Sequence, residues 1–344
     1  MNRTACLPLF RPTDTPFVLI KNARLTFDSQ QLPVISEDQI NNGRALAVKG
    51  QYREFTDSST FSIVIRDYMF RHYFHFMETL LTLYAVHREM FPGAYPESLY
   101  FGNFVWNNPK QNNIQREILS LLYPTTDIIT RATSGPLIIE NLLYIDRRLS
   151  HNPVNKMIEP ALMLICKHAL TLRREIFERL AIDELSKPDD SRPLKILYVP
   201  RHPPRALSKE IEADLLKMLS SIGSVEIIDF ATLCWKDQVQ AAASHDMMVG
   251  VHGNGLTNLL WLPRHAMALE LFPVFAHQYD YQMLAEVMGR DYFGIEGRRV
   301  FRPFIRHGWP YAGGPNPVTR LMVEEIGIAL TSFVLRLTQC ERAI

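Results

Sequence analysis

This chain carries no excess of charge of either sign. Lys plus Arg is 37, Asp plus Glu is 36, and the net charge is +1 over 344 residues. A global field for nucleic acid or an anionic membrane is thereby excluded, and any anion site has to be local. Cysteine is scarce: Cys6, Cys166, Cys234 and Cys340 are scattered, with no close pair to form a zinc knuckle or a redox motif. They read as free thiols of a reducing compartment, with one long-range bridge left open. No uninterrupted apolar stretch is long enough to span a bilayer, and the beginning of the chain has Pro8, Pro12 and Asp14 where a signal peptide needs an apolar run. A soluble cytoplasmic protein is the expectation. The dinucleotide fingerprint G-x-G-x-x-G is missing too, so an NAD enzyme is not expected.

What is present is apolar bulk in regular order. Hydrophobic residues make up 47% of the chain, which allows a sizeable core and about two domains at roughly 150 residues each. In the first half, short strands are expected at 17–20, 45–48, 62–66, 98–101 and 137–145, with more β pattern at Ile128 and Ile129. Helices are expected at 72–90, stopped by Pro92-Gly93, at 114–122, and at 157–180, where Leu162, Ile165, Ala169, Leu172, Ile176 and Leu180 form one stripe. The stretch 186–193, with two prolines and four charges, reads as a linker. The expected domains are therefore 1–187 and 188–316, with a final helix at 320–337 crossing back so that 317–344 packs on the first domain.

Beyond the linker, strands at 194–199, 225–228, 247–251, 266–272 and 292–295 alternate with helices at 209–222, 236–243 and 279–288. Repeating βα units indicate a parallel sheet covered on both faces, whose ligands lie beyond the carboxyl ends of the strands. The strand 247–251 empties into His252-Gly253-Asn254-Gly255, and a short helix opens at Leu256-Thr257-Asn258. Glycines allow close backbone approach, and free N–H groups at a helix start favour an anion, so this turn reads as a phosphate site. The plain alternative is a tight βα turn and nothing more.

Four further features bear on chemistry. Arg201 and Arg205, in a proline-stiffened turn leaving the first strand of the second domain, suit a bidentate grip on a diphosphate, or else form a solvated basic turn. Glu270 lies between Leu269 and Leu271 at a strand end, where a buried carboxylate needs a partner: ribose hydroxyls, or a nearby arginine such as Arg264. His72, His75 and Glu78 fall along one side of the long helix near Asp67, a plausible setting for a general base, with packing histidines as the alternative. His-x-x-His without a third clustered ligand is unspecific, so no metal is expected. Trp309 and Tyr311 suit either stacking on a sugar or anchoring their loop.

The pattern Tyr198-x-x-Arg201, then residues 230–238, then Val249-Gly250-Val251-His252-Gly253-Asn254-Gly255-Leu256-Thr257-Asn258, then Glu270-Leu271-Phe272-Pro273, resembles glycosyltransferase family 61. Tyr73-Phe74-His75-Phe76-x-Glu78 is similar to that family's histidine-containing first-domain motif. Asn254 stands where alanine is usual, and Pro200 where a small polar residue is common. The resemblance implies an α/β fold of GT-B type, two Rossmann-like domains facing a cleft. It implies an inverting transfer from a nucleotide sugar, usually a UDP-sugar, to a glycan acceptor, with no cofactor required. On that reading Arg201, Arg205, His252, Gly253, Asn254, Gly255, Leu256, Thr257, Asn258 and Glu270 bind the donor. His75 is the candidate base, oriented by Glu78 or replaced by Asp67. Surface-polysaccharide synthesis is the expected setting. The rivals are another transferase or epimerase of similar shape, and a catalytically silent sugar-nucleotide or glycan-binding protein.

Overall fold

The structure is a computed structural model, and it describes residues 17–27, 33–36, 38–40, 60–66, 72–101, 109–129, 135–146, 159–186, 192–203, 206–272 and 280–296. Asp67, Arg205, Trp309, Tyr311, Cys6, Cys340, the strand expected at 45–48 and the helix expected at 320–337 lie outside the described residues. Cys166 and Cys234 are free thiols. No helix among the described residues is long and apolar enough to cross a membrane. The protein is of the α/β class, and the chain divides into two compact units, Met1–Ile176 and Phe177–Ile344.

The first unit is built on a mixed sheet. Its strands are β1 (Phe17–Phe27), β2 (Pro33–Val34), β3 (Ser62–Arg66), β4 (Ser98–Tyr100), β5 (Asp127–Ile129) and β6 (Leu137–Asp146), in the spatial order β2-β1-β6-β3-β4-β5. β1 runs antiparallel to both neighbours, whereas β6, β3, β4 and β5 are mutually parallel. The β-branched run Ile63-Val64-Ile65 is wholly buried, as a strand covered on both faces requires. The chain leaves β3 on one side through β4 and β5, and returns on the other side at β6.

Among the described residues, the long helices of this unit are α1 (Tyr73–Met90), α2 (Pro109–Leu122) and α3 (Glu159–Leu180), the last continuing into the second unit. Helix α1 departs from the single apolar stripe its spacing suggests, because nearly every residue from Phe74 to His87 is buried. A helix apolar all round belongs inside a core, and its few polar groups have to be satisfied there. Thr82 donates to the carbonyl of Glu78 at 3.0 Å, and His87 donates from Nε2 to the carbonyl of Ala94 at 2.7 Å. Burial pulls the His87 imidazole down to about 4, so the ring is neutral and the tautomer follows from that bond.

The second unit has one parallel sheet: β7 (Leu194–Val199), β8 (Gly223–Ile227), β9 (Met247–Val251), β10 (Met267–Phe272) and β11 (Asp291–Glu296). The helices between them are α4 (Lys209–Ser220), α5 (Trp235–Ala243) and α6 (Asp280–Val287). The spatial order β8-β7-β9-β10-β11 is 2-1-3-4-5 when β7 is counted first. An order of this kind reverses direction between its first and third strands, and the crevice at their carboxyl ends is where such sheets bind ligands. Here that switch point lies between β7 and β9, the two strands followed by Arg201 and by His252. After β9 the expected short helix is present as a 3-10 segment, Asn254–Trp261. Its side chains from Leu256 to Trp261 are all buried, and the N–H of Leu256 closes onto the carbonyl of Gly253 at 2.9 Å, so tertiary packing has tightened the turn.

The opposite edge of this sheet is pinned by Asp246. Its carboxylate is fully buried and accepts two bonds from Arg192, at 2.7 and 2.8 Å, one from His265 at 2.7 Å and one from the N–H of Lys195 at 2.8 Å. Burial alone pushes this carboxyl up, but the bonds from Arg192, His265 and Lys195 outweigh it and bring it down to about 2, below the ordinary 3.8. A depressed carboxyl contributes stability that is present above the unfolded value and is lost as pH falls through the folded one, here on the order of 2 kcal/mol between about pH 4 and pH 2. Asp246→Asn removes the buried charge that Arg192 and His265 bond to and is expected to destabilise the protein by about 3 kcal/mol at neutral pH. It should also flatten the pH dependence of the unfolding midpoint below pH 4, which denaturant titration at several pH values reads.

Candidate functional site

The site at the carboxyl edge of the second sheet starts from Gly253. Its φ of 163° is ordinary extended backbone, so no left-handed turn demands glycine here. The reason is proximity. A Cβ at this position would stand 2.6 Å from both Cζ and one terminal nitrogen of Arg201, so the guanidinium lies directly on the bare backbone of the turn. Gly255 is required in the same way by Val199, whose Cγ1 would meet its Cβ at 2.8 Å. The two glycines thus let the β7 loop close over the β9 turn. Asn254 and Gly255 remain half-buried at the surface of this contact, and Asn254 is not in the left-handed region.

The loop carrying Arg201 is held from its far side. His202 and Asp229 pair at 2.8 Å, and Asp229 also accepts the N–H of Ala231 at 3.0 Å, capping the short 3-10 turn Phe230–Thr232. The exposed ion pair is worth little by itself, but it ties the ends of β7 and β8 together.

His252 follows β9 directly. Its ring is 4% exposed, and Nδ1 meets Oε1 of Glu270 at 2.5 Å. Glu270, expected at ribose hydroxyls, is 1% exposed; its second oxygen accepts the Tyr292 hydroxyl at 2.6 Å. Burial raises the Glu270 carboxyl, and the bonds from His252 and Tyr292 oppose that rise, while nearby Asp280 adds to it. Tyr281 packs edge-on to the imidazole with ring centroids 5.3 Å apart. Its hydroxyl is raised well above the usual range by burial first, then by the carboxylates of Glu270 and Asp280, with the positive charge of Arg201 acting the other way. Arg201, His252, Glu270, Asp280 and Tyr281 therefore form one electrostatic cluster.

Leu256, Thr257 and Asn258 are buried beneath the turn. The Asn258 amide donates to Oε1 of Gln238 and to the carbonyl of Gly255, both at 3.2 Å, while Gln238 donates to the carbonyls of Phe230 and Leu233. Two amides thus tie the turn to the start of α5. Thr257 Oγ1 has no hydrogen bond of good geometry, although the Tyr281 hydroxyl is its polar neighbour. The N–H of Leu256, expected to be free for an anion, is already bonded to Gly253.

In the first unit, β3 and β6 flank a second switch point, with Arg66 and Asp146 in register at their carboxyl ends. Helix α1 begins after β3. His75, in its first turn, donates from Nδ1 to Oε2 of Glu78 at 2.8 Å; the side chains are 20% and 3% exposed. An accessible imidazole whose inner nitrogen is held by a buried carboxylate is oriented as general bases are. The His72 ring lies 5.7 Å from that of His75. Among the described residues, no group of three His, Cys, Asp or Glu side chains is placed to hold a metal ion.

Tyr281, Asp280 and Tyr292 escaped sequence reasoning. They belong to the last βα unit, outside the turn motifs that mark Arg201 and His252, and only the side-by-side placement of β9, β10 and β11 brings them to His252.

A parallel sheet whose switch point carries a glycine turn under an arginine places this chain in the α/β class, with a candidate site at the carboxyl edge of its second sheet. Comparison with known proteins sharpens that class. The family model described as Glycosyltransferase 61 matches residues 73–269, more than half of the chain, and the chain belongs to that family. The matched range opens at the first residue of α1, includes His75, Glu78, Arg201 and His252, and stops one residue short of Glu270. The rice (Oryza sativa subsp. japonica) protein alpha-1,3-arabinosyltransferase XAT3 is 31% identical over 104 residues, which are 28% of this chain and 18% of that protein. The match thus spans less than a fifth of the relative's length.

Proposed function

We propose that this protein is an inverting glycosyltransferase that moves a sugar from a nucleotide sugar, of the UDP-sugar class, to a hydroxyl of a glycan acceptor. The unit Phe177–Ile344 holds the donor and the unit Met1–Ile176 the acceptor, in the manner of GT-B enzymes. One observation carries the reading: the guanidinium of Arg201 laid on Gly253 beside His252, at the switch point of a parallel sheet. A diphosphate placed there meets a planar cation in bidentate geometry and an imidazole at the next backbone position.

Direct displacement at the anomeric carbon needs a base on the acceptor side and charge stabilisation on the departing side. His75 takes the acceptor hydroxyl's proton while Glu78 holds its inner nitrogen. The hydroxyl oxygen bonds to the anomeric carbon, and the bond to the donor phosphate breaks, its electron pair leaving with the nucleoside diphosphate. Arg201 and His252 receive that charge. Glu270, with both oxygens engaged inside the protein, serves by holding His252, and Leu256, Thr257 and Asn258 serve by holding the turn. The setting we assign is cytoplasmic synthesis of a surface polysaccharide.

The test is a panel of UDP-sugars, with UDP release and a rise in melting temperature as readouts. Pentose donors belong in the panel, because the rice relative is named as an arabinosyltransferase. No response to any nucleotide sugar ends the proposal. Because protein cations meet the diphosphate, no metal is required: EDTA is expected to leave the rate within about twofold. A loss above about tenfold, restored by added Mg2+ or Mn2+, would show that the leaving group needs more charge than Arg201 and His252 provide.

A further inference from the structure

Glu270 occupies a slot made by missing side chains. In the sheet register it lies between Gly250 on β9 and Gly294 on β11. A Cβ on Gly294 would stand 3.0 Å from the Tyr292 hydroxyl and 2.9 Å from Cε2 of Phe272, so bare backbone at 294 is what lets that hydroxyl reach across to Glu270. The result is a line of side chains crossing three strands, from Tyr292 on β11 through Glu270 on β10 to His252 after β9, with bonds of 2.6 and 2.5 Å. The imidazole is further fixed by Phe272, stacked at 5.8 Å, and by Tyr281. Its position leaves little freedom except what Glu270 allows.

We propose that Tyr292 and Glu270 are positioning residues for the donor site: Tyr292 fixes the Glu270 carboxylate, and Glu270 accepts Nδ1–H of His252, so that the ring turns Nε2 toward the donor's diphosphate beside Arg201. This rests on the donor-site reading above. A carboxylate on Nδ1 selects one tautomer and one ring orientation, and it favours uptake of a solvent proton at Nε2 when the phosphate binds, so that the resulting imidazolium donates from Nε2 to a phosphate oxygen. Among the described residues, Arg201, Asp280 and Tyr281 are the other charged and titratable groups of this cluster, so one arginine and one imidazole face two buried carboxylates there. Tyr292 acts only through Glu270. Its hydroxyl makes one of the two hydrogen bonds that oppose the rise burial imposes on the Glu270 carboxyl.

The experiment compares wild type, Tyr292→Phe and Glu270→Gln. Long-range 1H–15N spectra of the imidazole nitrogens report the His252 tautomer, UDP titration reports the donor site, and melting temperature reports folding. The wild type is expected to show the Nδ1–H tautomer. Tyr292→Phe, which keeps the ring packing, is expected to mix the tautomers and to weaken UDP binding about tenfold while melting within a few degrees of wild type. Glu270→Gln, whose amide can present N–H to Nδ1, is expected to move the population toward Nε2–H. If Tyr292→Phe leaves either the tautomer or the UDP affinity at its wild-type value, the proposal is overturned. Should Tyr292→Phe not fold, the tautomer in Glu270→Gln decides. A wild-type protein that does not bind UDP refutes the donor-site reading, and the tautomer comparison still decides the relay.

Discussion

Arg201→Ala is expected to weaken UDP binding by roughly 30- to 150-fold, with the fold intact. A bidentate charge-assisted grip on phosphate is worth about 2–3 kcal/mol, and each 1.4 kcal/mol is tenfold in affinity. Arg201 is only half-buried and leaves the end of a strand, so its removal opens no core cavity. A companion substitution separates charge from position. Gly253→Ala keeps the arginine but places a methyl group 2.6 Å from its guanidinium, the far end of a flexible side chain. The guanidinium has to move and the backbone does not, so this variant should melt close to wild type and still lose UDP affinity on the scale of Arg201→Ala. Isothermal titration with UDP checks both. Full affinity in Arg201→Ala removes the arginine from the donor site, and full affinity in Gly253→Ala means that its placement on the turn is incidental.

The second large effect is expected at His75. His75→Ala should lower kcat by about 10²- to 10⁴-fold, the usual contribution of a positioned base, and leave UDP affinity unchanged because the base acts on the acceptor alone. Glu78 is 3% exposed in its side chain and loses its bond to His75 in this variant, so a drop of a few degrees in melting temperature should accompany the kinetic loss. Glu78→Gln keeps a hydrogen bond to the ring without the charge, and a loss of about tenfold in kcat is expected. Single-turnover measurement with saturating donor reads these changes free of product release. If His75→Ala turns over within about threefold of wild type, the base is elsewhere in the first unit.

Much of the scaffold could be read from the amino acids. The strands Ser62–Arg66, Leu194–Val199 and Met247–Val251 have the bounds that their apolar runs predict, because buried parallel strands are short apolar segments between punctuating residues. The segment after Gly255 was not readable in this way. Local pattern marks a short helix there, and only the packing of its buried side chains makes it a 3-10 segment. Glycine shows the same division. Gly253 and Gly255 mark a turn in the sequence, yet they are needed for Arg201 and Val199, which lie some 50 residues away along the chain.

By itself, then, the sequence determined the βα alternation of the second unit, and through it one common edge for Arg201, His252 and Glu270. In parallel βα units every strand ends on the same side of the sheet, so residues at strand ends are gathered without any knowledge of strand order. Strand order was left to the tertiary structure. It alone put β7 beside β9, which makes their ends a switch point, and β11 beside β10, which brings Tyr292 to Glu270 and Glu270 to His252. Neighbours in a sheet are chosen by how whole faces pack, a property of the assembled core that no local run of residues encodes.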